Sequence, residues 1–399
     1  MKDKIYKAYK FRIYPTNAQI NFLNKQFGAV RFIYNYFLNQ RDTQFKKTGK
    51  SDNYYAQTKT LKFMKEQEEF KWLKEINSQT CQQALQHLDA AYLKFFRKET
   101  AFPRFKKKKN YQSFCVPQHF KILEKGITIP KLKSQIKCKF HRKIIGEVKS
   151  LTISETPTGK YFVSILVEQE NEYKQTIEGK IGIDLGIKDF ITLSDGTKYS
   201  FSVSKKTKKL KKLQHYYSKK QKGSKRKEKL RLRIARLNEK IANFRRDFQH
   251  KLSNKLTNEY QTVCLESLRV KNMMKNHKFA KAIGEVGWYN FVSMLQYKGK
   301  WKGCDITQID QFYPSSKTCS VCNWKKEDLK LSERSWKCPN CGTEHDRDVN
   351  AARNILTYGL SLKSISSGTE DYKRREAKKV SQKDREELRR SVEDARTSA

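Results

Sequence analysis

Gly182-Ile183-Asp184-Leu185-Gly186-Ile187 opens the second half of the chain, and two later segments make sense only beside it. Ile181, Ile183 and Leu185 alternate with Gly182, Asp184 and Gly186, the period-two pattern of a half-buried strand. An aspartate on such a strand is costly to bury unless a cation holds it. Outward from there, Val263-Cys264-Leu265-Glu266-Ser267 repeats the alternation, with Glu266 out of phase with Val263 and Leu265. A third acid, Asp348, follows His345-Asp346-Arg347 and heads a helix-like run, Asn350-Ala351-Ala352-Arg353-Asn354-Ile355-Leu356. Three carboxylates at three element ends, in a very basic chain, point to a divalent-metal site working on phosphodiesters. Each acid also has a plainer reading. Asp184 can be a strand-end residue, Glu266 a cap for the next helix, and Asp346 or Asp348 an N-cap.

The 399 residues leave room for two or three domains at ~150 residues each. Lys and Arg number 86 against 41 Asp and Glu, a formal net charge of +45. Such an excess opposes a compact state unless a polyanion neutralises it, and nucleic acid is the fitting polyanion. The 20 Tyr and 23 Phe supply stacking surfaces for it. No apolar run approaches the ~20 residues of a spanning helix, and Met1–Lys7 lacks the apolar core of a signal peptide. A cytoplasmic protein, or at least one that is not secreted, is expected, with no membrane partner.

Residues 4–14 mix aromatic and β-branched residues with Lys and Arg, which predicts a strand with a basic face. Thr16 with Gln19 three residues on is a capping-box pattern, and Phe22, Leu23, Phe27, Val30, Ile33, Tyr34 and Phe37 follow at helical spacing. Further helices run to about residue 100. After Phe102-Pro103-Arg104-Phe105 and four lysines, short strands are predicted at 113–116, 127–129, 136–140, 151–154 and 161–167. Strands at this spacing suggest a small barrel or sandwich. The strand at 4–14 joins them, so the helical block is an insertion.

Residues 204–246 hold 19 Lys and Arg against only Glu228 and Glu239, and Gly223-Ser224 divides them into two helices. Leu230, Ile234, Leu237, Ile241 and Phe244 form a narrow apolar stripe, expected to pack on the sheet. The opposite, basic face suits a phosphate backbone.

Cys319-Ser-Val-Cys322 and Cys338-Pro-Asn-Cys341 are two C-x₂-C pairs with fifteen residues between them. Two such knuckles complete a tetrahedral thiolate site, which suits a structural Zn²⁺; iron in a rubredoxin-like site meets the same spacing. Cys81, Cys115, Cys138, Cys264 and Cys304 are scattered and read as small buried hydrophobes. Trp324 and Trp336 can touch nucleic acid or cover the small ribbon.

In this order, Gly182-Ile-Asp184-Leu-Gly-Ile, Cys-Leu-Glu266-Ser, the cysteine pairs and Asp346-Arg-Asp348-Val-Asn-Ala-Ala-Arg-Asn-Ile resemble the TnpB (OrfB) family. Its members are transposon-encoded RNA-guided DNA endonucleases related to type V CRISPR effectors. Tyr-Lys-Phe-Arg-Ile-Tyr-Pro15-Thr, Phe27-Gly28-Ala-Val-Arg31-Phe-Ile-Tyr-Asn35, Ala280-Lys-Ala-Ile and Gly287-Trp288 extend the resemblance over nearly the whole chain, up to about Tyr358. It implies an α+β multidomain fold. An RNase H-like (RuvC) α/β nuclease domain over 178–312 and 346–360 would carry an inserted zinc ribbon over 313–345. An oligonucleotide-binding-like wedge β-barrel over 1–15 and 103–175 would carry a helical recognition insert over 16–102. Residues 361–399, dense in mixed charge, read as a disordered tail or a lone solvated helix.

Residue by residue, Asp184, Glu266 and Asp348 fall on the family's three acidic positions. Asp348 is preferred to Asp346 because it stands two before Asn350 in the Asp-x-Asn-Ala-Ala pattern. The resemblance implies that these acids hold two Mg²⁺, with Mn²⁺ as a substitute, one activating water and one stabilising the leaving 3′-oxygen ~4 Å away. It also implies a guide RNA from the transposon end that selects double-stranded target DNA beside a short flanking motif. Composition and spacing alone do not indicate guidance. Two alternatives stay open: an unguided nuclease or transposase with the same triad, and a nucleic-acid-binding regulator that does not cut.

Overall fold

The computed structural model describes residues 4–171, 178–330 and 332–363, so residues 364–399 of the predicted tail lie outside the described residues. The chain divides into two compact units, Met1–Glu172 with Leu213–Glu239 and Tyr173–Lys212 with Lys240–Ala399. Among the described residues no helix is long and apolar enough to cross a membrane.

In the first unit, β1 (Lys4–Tyr14) buries Ile5, Phe11 and Ile13 and turns Lys4, Tyr6, Lys10 and Tyr14 outward. The capping box forms as predicted. Thr16 Oγ1 accepts from Gln19 N at 3.4 Å, and Thr16 N donates to Gln19 Oε1 at 3.0 Å. This starts α1 (Asn17–Thr48), which buries Leu23, Phe27, Val30, Ile33, Tyr34 and Phe37 and stops at Gly49 in the left-handed region. α2 (Tyr54–Met64), a 3₁₀ segment (Glu68–Glu75) and α3 (Ser78–Phe96) complete the helical block. The strands β2 (Gln112–Val116), β3 (Lys121–Leu123), β4 (Gly126–Thr128), β5 (Ile136–Lys139), β6 (Glu147–Glu155) and β7 (Tyr161–Glu170) follow. They make one antiparallel sheet in the order β2-β6-β7-β1-β5-β4-β3. β1 pairs with both β7 and β5, so the first strand does join the later ones and the helices interrupt them. β3 was not predicted: three residues, none of them buried, carry no periodicity to detect.

The second unit is built on β8 (Lys180–Leu185), β9 (Ile191–Leu193), β10 (Lys198–Tyr199), β11 (Thr262–Glu266) and β12 (Asp305–Ile309), in the order β10-β9-β8-β11-β12. β8, β11 and β12 are parallel; β9 and β10 return antiparallel through the turn at Gly196. The helices are α4 (Ser204–Ser218), α5 (Lys225–Glu259), α6 (Val270–Met273), α7 (His277–Val286), α8 (Trp288–Lys302) and, at the end, α9 over residues 347–363. A small hairpin of β13 (Ser335–Lys337) and β14 (Glu344–Asp346) lies between β12 and α9.

β8 is not half-buried as its alternation predicts; it is covered on both faces. Ile181, Ile183 and Leu185 pack with Leu252 and Leu256 of α5 and Phe291 and Leu295 of α8. The glycine face is closed by α9. A Cβ on Gly182 would lie 2.0 Å from the Ala352 carbonyl oxygen and 2.8 Å from Leu356 Cβ. One on Gly359 would lie 2.6 Å from Cys264 Sγ on β11. Ala351 and Ala352 are fully buried in the same contact. Small residues on both sides therefore let helix and sheet approach to backbone distance. We expect Gly182→Ala to destabilise the protein by about 3 kcal/mol, read as a lowered denaturation midpoint. An unchanged midpoint would mean that α9 moves aside without cost.

One reading changes. Leu230, Ile234, Leu237 and Ile241 of the apolar stripe stay half-buried, and Phe244 is 41 % exposed. A stripe this narrow between Lys and Arg is shielded by their aliphatic stems without reaching a core. The buried part of α5 lies further on, at Gln249, Leu252, Ser253, Leu256 and Thr257. Residues 213–239, the end of α4 and the start of α5, group with the first unit. There Glu239 accepts from Thr158 at 3.2 Å and pairs with Lys160 at 3.0 Å.

Candidate functional site

The register of the second sheet sets Ile183 opposite Leu265 on parallel strands, so Asp184 and Glu266 follow as neighbours at the carboxyl ends of β8 and β11. Open α/β sheets bind ligands at those ends. By alternation Asp184 shares the face of Gly182, and Glu266 that of Cys264, which is the face α9 covers. Asp348 belongs to the first turn of α9. All three sequence-predicted acids thus meet on one side of the sheet.

Their electrostatics record the meeting. The Asp184 carboxyl is pushed up to about 8, first by desolvation and then by the charges of Glu266 and Asp348, with Arg347 opposing. Burial also raises Glu266, against a hydrogen bond from Ser315. The Ser315 hydroxyl donates to Glu266 Oε1 at 2.5 Å. The three carboxylates do not offer oxygens that all lie within 4.8 Å of one another; among the described residues only the four thiols do. A cavity of about 250 Å³ opens beside Glu266, walled by Leu185, Trp288, Val292 and Gln308, with the exposed ring of Tyr289 at its edge.

Asp346 has other work. Its Oδ1 accepts from the backbone N–H groups of Asp348 (3.0 Å) and Val349 (3.1 Å), the N-cap arrangement, and its Oδ2 pairs with Lys198 at 2.7 Å. Asp348 faces Arg334 at 3.8 Å, and its charge also reaches Asp184 and Lys198.

Cys319, Cys322, Cys338 and Cys341 come together from the two knuckles, with ligand atoms all within 4.8 Å of one another. Sulfur pairs stand 3.6 Å apart, for Cys319 with Cys341 and for Cys322 with Cys338. The Cys322 thiol is drawn down to about 6 by the Asn340 side chain and the Trp324 backbone. A thiol so poised is ready to bind as thiolate. His345, 3 % exposed, sets its Nε2 3.1 Å from Cys319 Sγ and packs its ring on Trp336. Trp336 is therefore buried with the cysteine cluster; Trp324 keeps 36 % of its surface. Of the scattered cysteines, Cys81, Cys138, Cys264 and Cys304 are buried and Cys115 is partly so.

The sequence reading missed Ser315, Asn350 and Asn354. Asn350 Nδ2 donates to Thr318 O at 2.7 Å, and its Oδ1 accepts from Ser320 N at 2.9 Å. Asn354 Nδ2 donates to Ser315 O at 2.7 Å and to Thr318 O at 2.6 Å. Both amides are almost fully buried. The signal was available: two Asn at i,i+4 inside the apolar run of a helix have no reason to be there unless they bond something. Ser315 offered no such pattern.

Comparison with known proteins follows the same outline. The OrfB_IS605 family model, described as "Probable transposase", matches residues 164–277. The family's "Helix-turn-helix domain" matches 1–50, where the chain forms a strand and one long helix, and "Cas12f1-like, TNB domain" matches 288–355. A relative from Streptomyces pristinaespiralis named "Putative RNA-guided DNA endonuclease" is 36% identical over 374 residues, covering 92% of this chain and 93% of its own. One of the same description from Escherichia coli K12, InsQ, is 33% identical over 376 residues, 89% of this chain and 93% of that one. Among solved structures, the cryo-EM structure of a Cas12f1–sgRNA–target DNA complex has a similar fold, with a TM-score of 0.54 at 14% identity over 88% of this chain and 99% of the other.

Proposed function

Because the chain belongs to the TnpB (OrfB) family, we propose that it is a transposon-encoded, RNA-guided DNA endonuclease with Asp184, Glu266 and Asp348 as its catalytic centre. The observation that carries this reading is the convergence of the three acids on one face of the sheet, with Asp184 raised to about 8 first by burial and then by the charges of Glu266 and Asp348. A buried surplus of negative charge made only of hard oxygen donors fits Mg²⁺, or Mn²⁺ in its place. Bound there, divalent cations offset charge on the phosphodiester and make water a better nucleophile. The chain's own part is to fix the donors: Asp184 and Glu266 by strand register, Asp348 by the helix that Asp346 caps. The strand order with helices on both faces supports an RNase H-like, RuvC-type domain. The four thiols fit one structural Zn²⁺ in a ribbon that interrupts that domain.

The partners follow from charge and family. A chain of net charge +45 suits a guide RNA transcribed from the transposon end, together with double-stranded target DNA selected beside a short flanking motif. The cytoplasm and the nucleoid are the places where both would be met. The test is to express the gene with its native flanks and sequence the RNA that co-purifies. One discrete structured species ending in sequence from just outside the element is expected, and that RNA should direct Mg²⁺-dependent cutting of a matching duplex. A smear of cellular RNA with unguided cutting would instead favour a nuclease or transposase targeted by other means.

A further inference from the structure

We propose that Ser315 is a positioning residue that orients Glu266 for a divalent cation, and that it keys β11 to the helix carrying Asp348; the inference rests on the carboxylate reading above. A serine in a loop usually bonds its own or a neighbouring backbone group. Ser315 instead reaches across 49 positions to place its hydroxyl 2.5 Å from Glu266 Oε1. It is 4 % exposed, so the contact is not a surface accident. One hydrogen bond to one carboxylate oxygen fixes the rotation of the group and leaves the second oxygen for a cation.

Ser315 is itself held from two sides. Its N–H donates to Tyr313 O at 2.8 Å, and Pro314 O accepts from the N–H groups of Lys317 and Thr318 at 3.1 Å, a tight turn. Asn354 holds Ser315 O, and Asn350 and Asn354 together hold Thr318 O. Asn350 also receives the N–H of Ser320, beside Cys319. The loop entering the first cysteine knuckle is thereby bolted to α9, whose first turn bears Asp348. Glu266 and Asp348 belong to different elements far apart in sequence, yet one loop references both. Partners that orient a metal ligand through its free atom typically govern metal affinity by about ten- to a hundredfold.

The test follows Mn²⁺ binding by electron paramagnetic resonance on the 399-residue chain loaded with zinc and free of nucleic acid, and guided cleavage separately on the same chain assembled with its guide RNA. Ser315→Ala is expected to weaken Mn²⁺ binding by about ten- to a hundredfold and to raise the Mg²⁺ needed for half-maximal cleavage in parallel, with zinc content unchanged. Ser315→Thr, which keeps the hydroxyl, should bind Mn²⁺ within about threefold of the parent if orientation is the cause. Equal weakening by Thr and Ala would overturn the role of the hydroxyl and leave only packing. Asp184→Ala is the reference. If it loses Mn²⁺ while Ser315→Ala does not, Ser315 is refuted alone; if it binds Mn²⁺ like the parent, the carboxylate centre is refuted and Ser315 with it.

Discussion

Asp184→Ala is expected to lower guided cleavage on the order of 10³-fold while guide RNA and target DNA remain bound. Glu266 and Asp348 are the acids whose charge reaches the Asp184 carboxyl, whereas Asp346 is committed to the α9 cap and to Lys198. Retained binding follows because the +45 charge is spread over the whole chain, and one recessed acid contributes little to phosphate contact. A variant that still cut at a tenth of the parental rate would remove Asp184 from the chemistry.

The same residue predicts a pH dependence of stability. Its carboxyl is raised from an ordinary value near 4 to about 8 in the fold. Below about pH 4 it is protonated in both folded and unfolded chains and costs nothing. As pH rises from there the unfolded chain ionises and the folded one resists, so stability is lost progressively, and the loss is complete above about pH 8. In the metal-free protein Asp184→Asn should therefore raise Tm at pH 8 and have little effect near pH 4. Added Mg²⁺ should raise the Tm of the parent more than that of the variant. Equal Tm values at pH 8 without metal would contradict the electrostatic account.

Cys338→Ser is expected to empty the thiolate site and to lower cleavage on the order of 10²-fold or more. The segment around the four cysteines has almost no core of its own: among the described residues, Cys319, Leu329, Trp336 and Cys338 are its buried apolar cluster, with Cys322 beside them. Ordering so small a module depends on the ion, whose binding is worth about 10–16 kcal/mol in comparable peptides. The loss should travel. The knuckle at Cys319 continues from the loop that Asn350 and Asn354 hold against α9, so its unfolding would release Ser315 from Glu266. Zinc content by elemental analysis and cleavage should fall together, whereas Asp184→Ala should keep its zinc. A zinc-free variant that cuts normally would uncouple ribbon from centre, and iron in place of zinc would correct the ion assigned to the four thiols.

Local signals were read directly from the chain. Alternation gave β8 and β11, the Thr16–Gln19 box gave the start of α1, and the two C-x₂-C pairs gave a four-thiol cluster. Each depends on residues close in sequence, where periodicity and spacing translate straight into geometry. The choice of Asp348 over Asp346 came from resemblance; in the structure Asp346 caps α9, and the charge of Asp348 raises Asp184.

What tertiary structure alone decided concerns surfaces that meet across long separations. Sequence by itself singled out the carboxylates and thiols as metal candidates, most of the longer strands and helices, and a polyanion as the expected partner. It did not determine that Gly182 faces the backbone of Ala352, which buries β8 on both sides, nor that Asn350, Asn354 and Ser315 form one chain of bonds to Glu266. It also left the 230–244 stripe looking like core. Amphipathic spacing states that a face is apolar; whether that face is buried depends on what else packs there, and parallel strand pairing and helix docking are set by the whole chain at once.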